Sequence, residues 1–198
     1  MRTTLVHVAS SELKAAMPSD FGDALEVLRR LQYRPEFVVQ EAPAPARLAP
    51  FAFAQTVDVE LGDDIVASGR LVVLHDPAGQ PSWQGRTRVI AYIDADVELE
   101  VAADPVLPEV GWSWLREGLD NAEADADALG GTVTQVFSRS FGVMDTREPE
   151  GRLQVRASWT PADPVALVPH VPAWALLTAS ACGLTPTSDG VANLLRGS

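Results

Sequence analysis

Phe51-Ala52-Phe53-Ala54-Gln55-Thr56-Val57-Asp58-Val59-Glu60-Leu61 alternates without interruption: Phe51, Phe53, Gln55, Val57, Val59 and Leu61 fall on one side, and Ala52, Ala54, Thr56, Asp58 and Glu60 on the other. Successive side chains of an extended chain point to opposite faces, so this period of two predicts a strand with one buried face. Gly62-Asp63-Asp64 supplies a turn, and Ile65 to His75 follows as a second apolar run. Asp76-Pro77-Ala78-Gly79 carries the residues of a tight turn, and Arg86 to Asp94 reads as the next strand. Connections this short join antiparallel neighbours.

Upstream, Ser19 or Asp20 can cap a helix over 20–32, with Leu25, Leu28 and Leu31 at helical spacing. Pro35 closes it, Phe37-Val38-Val39 starts a strand, and Ala42-Pro43-Ala44-Pro45 reads as an extended connector because proline removes ladder donors. Downstream, Leu115, Leu119, Ala122, Ala126 and Leu129 share a helical face, and Gly130-Gly131 reads as the stop. That places Trp112 and Trp114 at the start of the helix. Val133 to Phe141 and Arg152 to Trp159 are two further strands. A last helix begins at Pro172, a good first-turn residue, and runs to Cys182 with Gly183 after its end.

The expected fold is α+β, in the order α-β-β-β-α-β-β-α: an antiparallel sheet of about five strands with helices on one face. One domain, 19–185, is expected between flexible tails at 1–18 and 186–198. The order is similar to the folds of small acidic secretion chaperones and YbjN-type domains, which bind polypeptides and are dimeric.

The composition narrows the function. A formal net charge of −12 repels phosphate backbones, so direct nucleic-acid binding is not expected. Met1 to Lys14 has no apolar stretch long enough for an export signal, so a cytoplasmic location is expected. Val165 to Leu184 is nearly uncharged, but Pro164, Pro169, His170 and Pro172 break it short of a membrane span. A lone Cys182 in an apolar run reads as a small hydrophobe. No metal or other cofactor is expected, since His7, His75 and His170 share no ligand spacing. Phosphate-cradling and nucleophile-elbow glycine patterns are missing from the sequence, and an enzyme is not the favoured reading.

Six segments, Arg34-Pro35-Glu36, Arg47-Leu48-Ala49-Pro50, Ala67 to Pro77, Ala103 to Leu115, Ala128 to Gln135 and Arg156 to Pro161, together resemble an actinobacterial family described as a domain of unknown function, number 3000. The resemblance spans about residues 20 to 185. It implies no activity, cofactor or catalytic residue. The near-exclusive use of arginine over lysine is consistent with it.

Two groups of residues are candidate sites. Arg86, Arg88, Arg139, Arg152 and Arg156 all sit on predicted strands, and guanidinium forks in register on one sheet face can bind carboxylate or phosphate. Asp94, Asp96 and Glu98 can instead neutralise them. His75, beside Asp76, is the acid-base candidate nearest that face, although adjacent strand residues point apart and the pair also reads as a turn. Trp112, Trp114 and Trp174 form the candidate interaction surface, with Trp159 as a further aromatic. The expected function is therefore a non-enzymatic protein-binding or chaperone-like protein, as a homodimer or with a protein or peptide partner. The alternative is a small-anion-binding protein or enzyme built on the arginine face.

Overall fold

The computed structural model describes residues 17–185. The expected tails fall almost wholly on 1–16 and 186–198, outside the described residues. The chain runs α1 (Ser19–Arg29), β1 (Phe37–Glu41), β2 (Phe51–Leu61), β3 (Asp64–Gln80), β4 (Gly85–Val97), α2 (Leu99–Ala102), α3 (Leu107–Asn121), β5 (Ala126–Ser138), β6 (Glu150–Pro161) and α4 (His170–Ala181). All six strands form one antiparallel sheet in the order β1-β2-β3-β4-β6-β5. The class is α+β, as the alternation predicts, with one strand more than expected, because Phe37–Glu41 pairs fully with β2.

The inner face of the sheet carries Phe53, Val57, Leu71, Val73, Val89, Ile93, Leu153, Val155 and Trp159, all buried. Against it pack Phe21, Leu25 and Leu28 of α1, Leu115 and Leu119 of α3, and Val171, Trp174 and Leu177 of α4. Burying a large apolar side chain contributes roughly 1.5–3 kcal/mol, so this single layer supplies most of the driving force for folding. The outer face has only a small cluster, Ala54, Val72 and Leu74, partly covered by Ala42, Ala44 and Ala49 of the β1–β2 connector. Arg70 donates to the Pro43 carbonyl and holds that connector down.

Several boundaries differ from expectation, most of all at the second long helix and at the turn after β3. The second long helix begins at Leu107, with Pro108 in its first turn, and ends at Asn121 rather than running to Leu129. Both tryptophans are therefore inside the helix. It is closed by a left-handed residue, Glu123 at φ 51°, with Ala124 N donating to Leu119 O at 2.9 Å and Glu123 N to Asp120 O at 3.1 Å. That bonding is the usual glycine-terminated helix end, built here on a glutamate that gives no sequence signal. At α4 the same pair of bonds forms around Gly183, φ 67°, where a glycine marks it as expected.

Gly130-Gly131 lies in β5 instead. A Cβ on Gly131 would stand 2.9 Å from both Ala157 Cα and Trp112 Cζ3, so the glycine lets α3 settle against the β5–β6 pair. Similarly, Asp76-Pro77-Ala78-Gly79 does not reverse the chain. Asp76 Oδ1 accepts from Ala78 N at 3.0 Å, and residues 76–79 bulge from β3 between the His75–Thr87 and Gln80–Gly85 pairs. The reversal comes at Pro81-Ser82-Trp83-Gln84, with Gln84 at φ 58°.

Glu123→Gly should raise stability by about 0.5–1 kcal/mol, because glycine has no Cβ to strain in the left-handed region. Gly131→Ala should lower it by about 1–3 kcal/mol through overpacking beneath Trp112. Urea unfolding of the two variants measures both; a destabilised Glu123→Gly or a Gly131→Ala as stable as the wild type would remove the corresponding assignment.

Candidate functional site

Alternation along β4 and β6 brings Arg88, Ile90, Tyr92, Asp94 and Asp96 to the outer face beside Ser158, Arg156, Gln154 and Arg152. Arg152 Nε reaches Asp94 at 2.9 Å and Asp96 at 3.5 Å. Asp94 also accepts from Gln154 at 3.0 Å and from the Tyr92 hydroxyl at 3.1 Å. Arg156 lies over the Tyr92 ring, 5.2 Å from its centre, and Arg70 faces the same tyrosine from β3. At this end of the sheet the arginines are neutralised by carboxylates or stacked on an aromatic. Exposed networks of this kind contribute little stability, about 0–1 kcal/mol per pair.

The expected constellation is only partly assembled. Arg86 is exposed at the start of β4, and Arg139 lies beyond the end of β5 in the loop leading to β6. His75 is not beside the arginines at all. It faces the inner side, stacked on Phe21 with ring centres 4.4 Å apart. Its partner is Thr87 Oγ1 at 2.8 Å, and Thr87 spends its own hydroxyl hydrogen on the Pro164 carbonyl at 2.7 Å. His75 Nδ1 must therefore be the donor to Thr87. Burial holds its pKa below the ordinary imidazole value, so the ring is a neutral structural link between α1, β3, β4 and the loop before α4.

Arg88 is different. Its Nη1 donates to Ala128 O and Thr160 Oγ1, both at 3.1 Å, and its Nη2 to Ser158 O at 3.2 Å and Ser158 Oγ at 2.7 Å. All four acceptors are neutral. The bonds fasten the irregularity in β5 between Asp127 and Gly130, where Ala128 takes φ 48°. Beside Arg88 lies a groove of about 380 Å³ lined by Leu48, Leu74, Gln80, Ser82, Trp83, Ile90 and Ser158. Arg70, Tyr92 and Trp83 were all missed from sequence, the last because the reversal was expected five residues too early.

A second buried histidine also escapes the sequence reading. His170, in the first turn of α4, accepts at Nδ1 from Trp159 Nε1 at 3.0 Å, and both side chains are buried. Desolvation pushes its pKa down to about 4. Cys182 is half-buried, and burial raises its thiol to about 11, so it is inert at neutral pH.

Of the candidate aromatic surface, Trp174 must be withdrawn: it is completely buried, with its indole N–H lacking a partner among the described residues. Helix α4 is largely covered by α3 and the sheet of its own chain, with Gly118 of α3 lying against the Ala173 backbone, and Ala175, Leu176 and Ser180 are its partly exposed residues. Trp159 is likewise internal. Trp112 and Trp114 are half-buried against the core. Trp112 borders a hollow of about 280 Å³ with Pro108, Glu109, Gly131 and Val133, beside β5.

β5 is an edge strand of thirteen residues. From Ala128 to Ser138 it contains no charged residue and no proline. Phe137 is exposed on it, and Phe141, Val143 and Met144 are exposed in the following loop. The other edge, β1, has five residues and ends in Glu41, which is paired with Arg29 at 2.9 Å. Among the described residues no cluster of His, Cys, Asp and Glu is placed to hold a metal ion, and no helix is long and apolar enough to cross a membrane.

The pH dependence of folding follows from His170. Its folded pKa lies below the unfolded value of 6.5, so the neutral ring stabilises the fold above that pH, and the stabilisation is lost as pH falls from 6.5 toward about 4. The loss should be roughly 3 kcal/mol, with His75 acting in the same direction. Urea unfolding at pH 7 and pH 4.5 tests this. His170→Gln should flatten the profile, and an unchanged slope in that variant would assign the effect elsewhere.

The chain belongs to a family described as a protein of unknown function (DUF3000), which it matches over residues 17–192. No curated protein and no solved structure matches it.

Proposed function

We propose that this member of the DUF3000 family is a non-enzymatic, cytoplasmic polypeptide-binding protein that takes an extended segment onto the β5 edge, with a second copy of the chain as its first partner. The observation that carries this reading is the undefended edge. Natural sheets blunt exposed edges with charges, prolines, short strands or cover, because a row of free backbone N–H and C=O groups templates further pairing. β1 follows that rule, and β5, past its irregularity at Asp127 to Gly130, departs from it over Gly131 to Ser138.

Strand addition uses backbone bonds for affinity and pockets for alternate side chains for selectivity. The hollow at Trp112 and Val133, with Phe137 further along the strand, supplies apolar contacts on the inner side of such a segment. Thr132, Thr134, Val136 and Ser138 flank it on the outer side by their register with β6. The charge distribution supports self-pairing in particular. A chain of net charge −12 repels its own copy over most of its surface, while the Ala128 to Ser138 stretch of β5 would meet itself with no like charges. An antiparallel two-fold pair at β5 would extend the sheet across both protomers.

Light scattering at micromolar concentration should find the wild type dimeric. Carrying Thr134→Lys with Val136→Lys, or Thr134→Asp with Val136→Asp, should make the chain monomeric with its unfolding midpoint nearly unchanged. Mixing the two variants should restore a dimer through opposite charges. A dimer indifferent to these substitutions would place the interface elsewhere.

A further inference from the structure

We propose that the groove beside Arg88 is a binding site for a small carboxylate with a flat apolar body, separate from the β5 edge. The sequence has 27 acidic residues against 15 basic ones, yet no described carboxylate lies within ion-pair distance of Arg88. Its neighbours Arg152 and Arg156 have Asp94, Asp96 and Tyr92. A half-buried guanidinium without a counter-ion carries a desolvation cost that an anion would offset.

Geometry sets the class of ligand. The four Nη hydrogens are committed to Ala128, Ser158 and Thr160, which fixes the plane of the guanidinium and leaves the Nε hydrogen unused. Ser82 and Trp83, which carry a hydroxyl and an indole N–H, line the same groove, and Thr160 Oγ1 donates to the Trp83 carbonyl at 2.5 Å. A fixed guanidinium with its Nε hydrogen free, in a groove to which Ser82 and Trp83 bring further donor groups, suits a singly charged carboxylate better than the more heavily charged, multiply hydrated phosphate. The remaining walls, Leu48, Leu74, Ile90 and the Trp83 ring, are apolar. A groove of about 380 Å³ sits at the small end of the usual range for ligand sites, which fits a body of one or two fused rings.

Three further features point the same way. The rim is assembled from distant parts of the chain: the connector at Leu48, the reversal at Ser82-Trp83, and strands β3, β4 and β6. Gln80, across the groove, donates to the Leu48 carbonyl at 3.4 Å and to Asp76 at 3.3 Å, tying that rim together. Arg88 is also rigid before any ligand arrives, so little side-chain entropy remains to be lost on binding.

Titration of ¹⁵N-labelled protein with 2-naphthoate, using 2-naphthamide as the uncharged probe, tests the site. The Arg88 Nε–H and Trp83 Nε1–H resonances should shift saturably with the carboxylate, and the amide should bind at least tenfold more weakly. Ser82→Trp, which fills the groove and leaves Arg88 bonded, should reduce naphthoate affinity at least tenfold. Arg88→Gln should do the same, but because Arg88 also braces β5, the Ser82 variant is the deciding one. The Thr134→Lys, Val136→Lys chain should bind naphthoate like the wild type. Equal affinity for amide and carboxylate, or undiminished binding in Ser82→Trp, would overturn the proposal.

Discussion

The hydrogen bond from Trp159 to His170 is the constraint on which the rest of the arrangement depends. It joins the inner face of β6, a central strand, to the first turn of α4, and every atom in it is buried. With α4 seated there, its apolar surface is largely satisfied within the chain, and Gly118 lets α3 pack close against its backbone. α3 then lies toward β5 while α1 covers β2 and β3 through Phe21, Leu25 and Leu28. All the helices are spent on one side. The outer face and the β5 edge are left as the surfaces on which function can be built.

This asymmetry gives the two candidate sites different physics. At β5 the feature is negative, a stretch from Gly131 to Ser138 without the charges or prolines that would deter pairing. At Arg88 it is a fixed charge without a counter-ion, held by neutral acceptors on the strand pair that forms the edge. Because Arg88 braces the irregular start of β5, the groove and the edge share a support. Their ligands need not be coupled, but each depends on the same two strands being in register.

Where the sequence was read correctly, the signal was local and periodic. The alternation of Phe51 to Leu61 and of Arg152 to Trp159 marks strands because their inner sides are all apolar or buried. Gly183 marks a helix end because its φ of 67° suits glycine. The misread positions are those where tertiary packing overrides local preference. Glu123 closes α3 without a glycine, Gly130-Gly131 serves a helix-to-strand contact instead of a helix end, and Asp76-Pro77-Ala78-Gly79 is a bulge.

The candidate residues divide in the same way. Alternation alone puts Arg152 and Arg156 on one side of their strand. It could not show that Arg152 would find Asp94, that Arg88 would find only neutral acceptors, or that His75 would turn inward to Phe21 and Thr87, because those outcomes need strand register and the loop at Pro164. Trp174 looked like a surface residue only while α4 lacked its neighbours. The most direct test of polypeptide binding at the edge is hydrogen exchange of the Thr132 to Ser138 amides across a dilution series. The account predicts that their protection rises with protein concentration while the β6 amides stay equally slow throughout. Protection in β5 that is independent of concentration would contradict it.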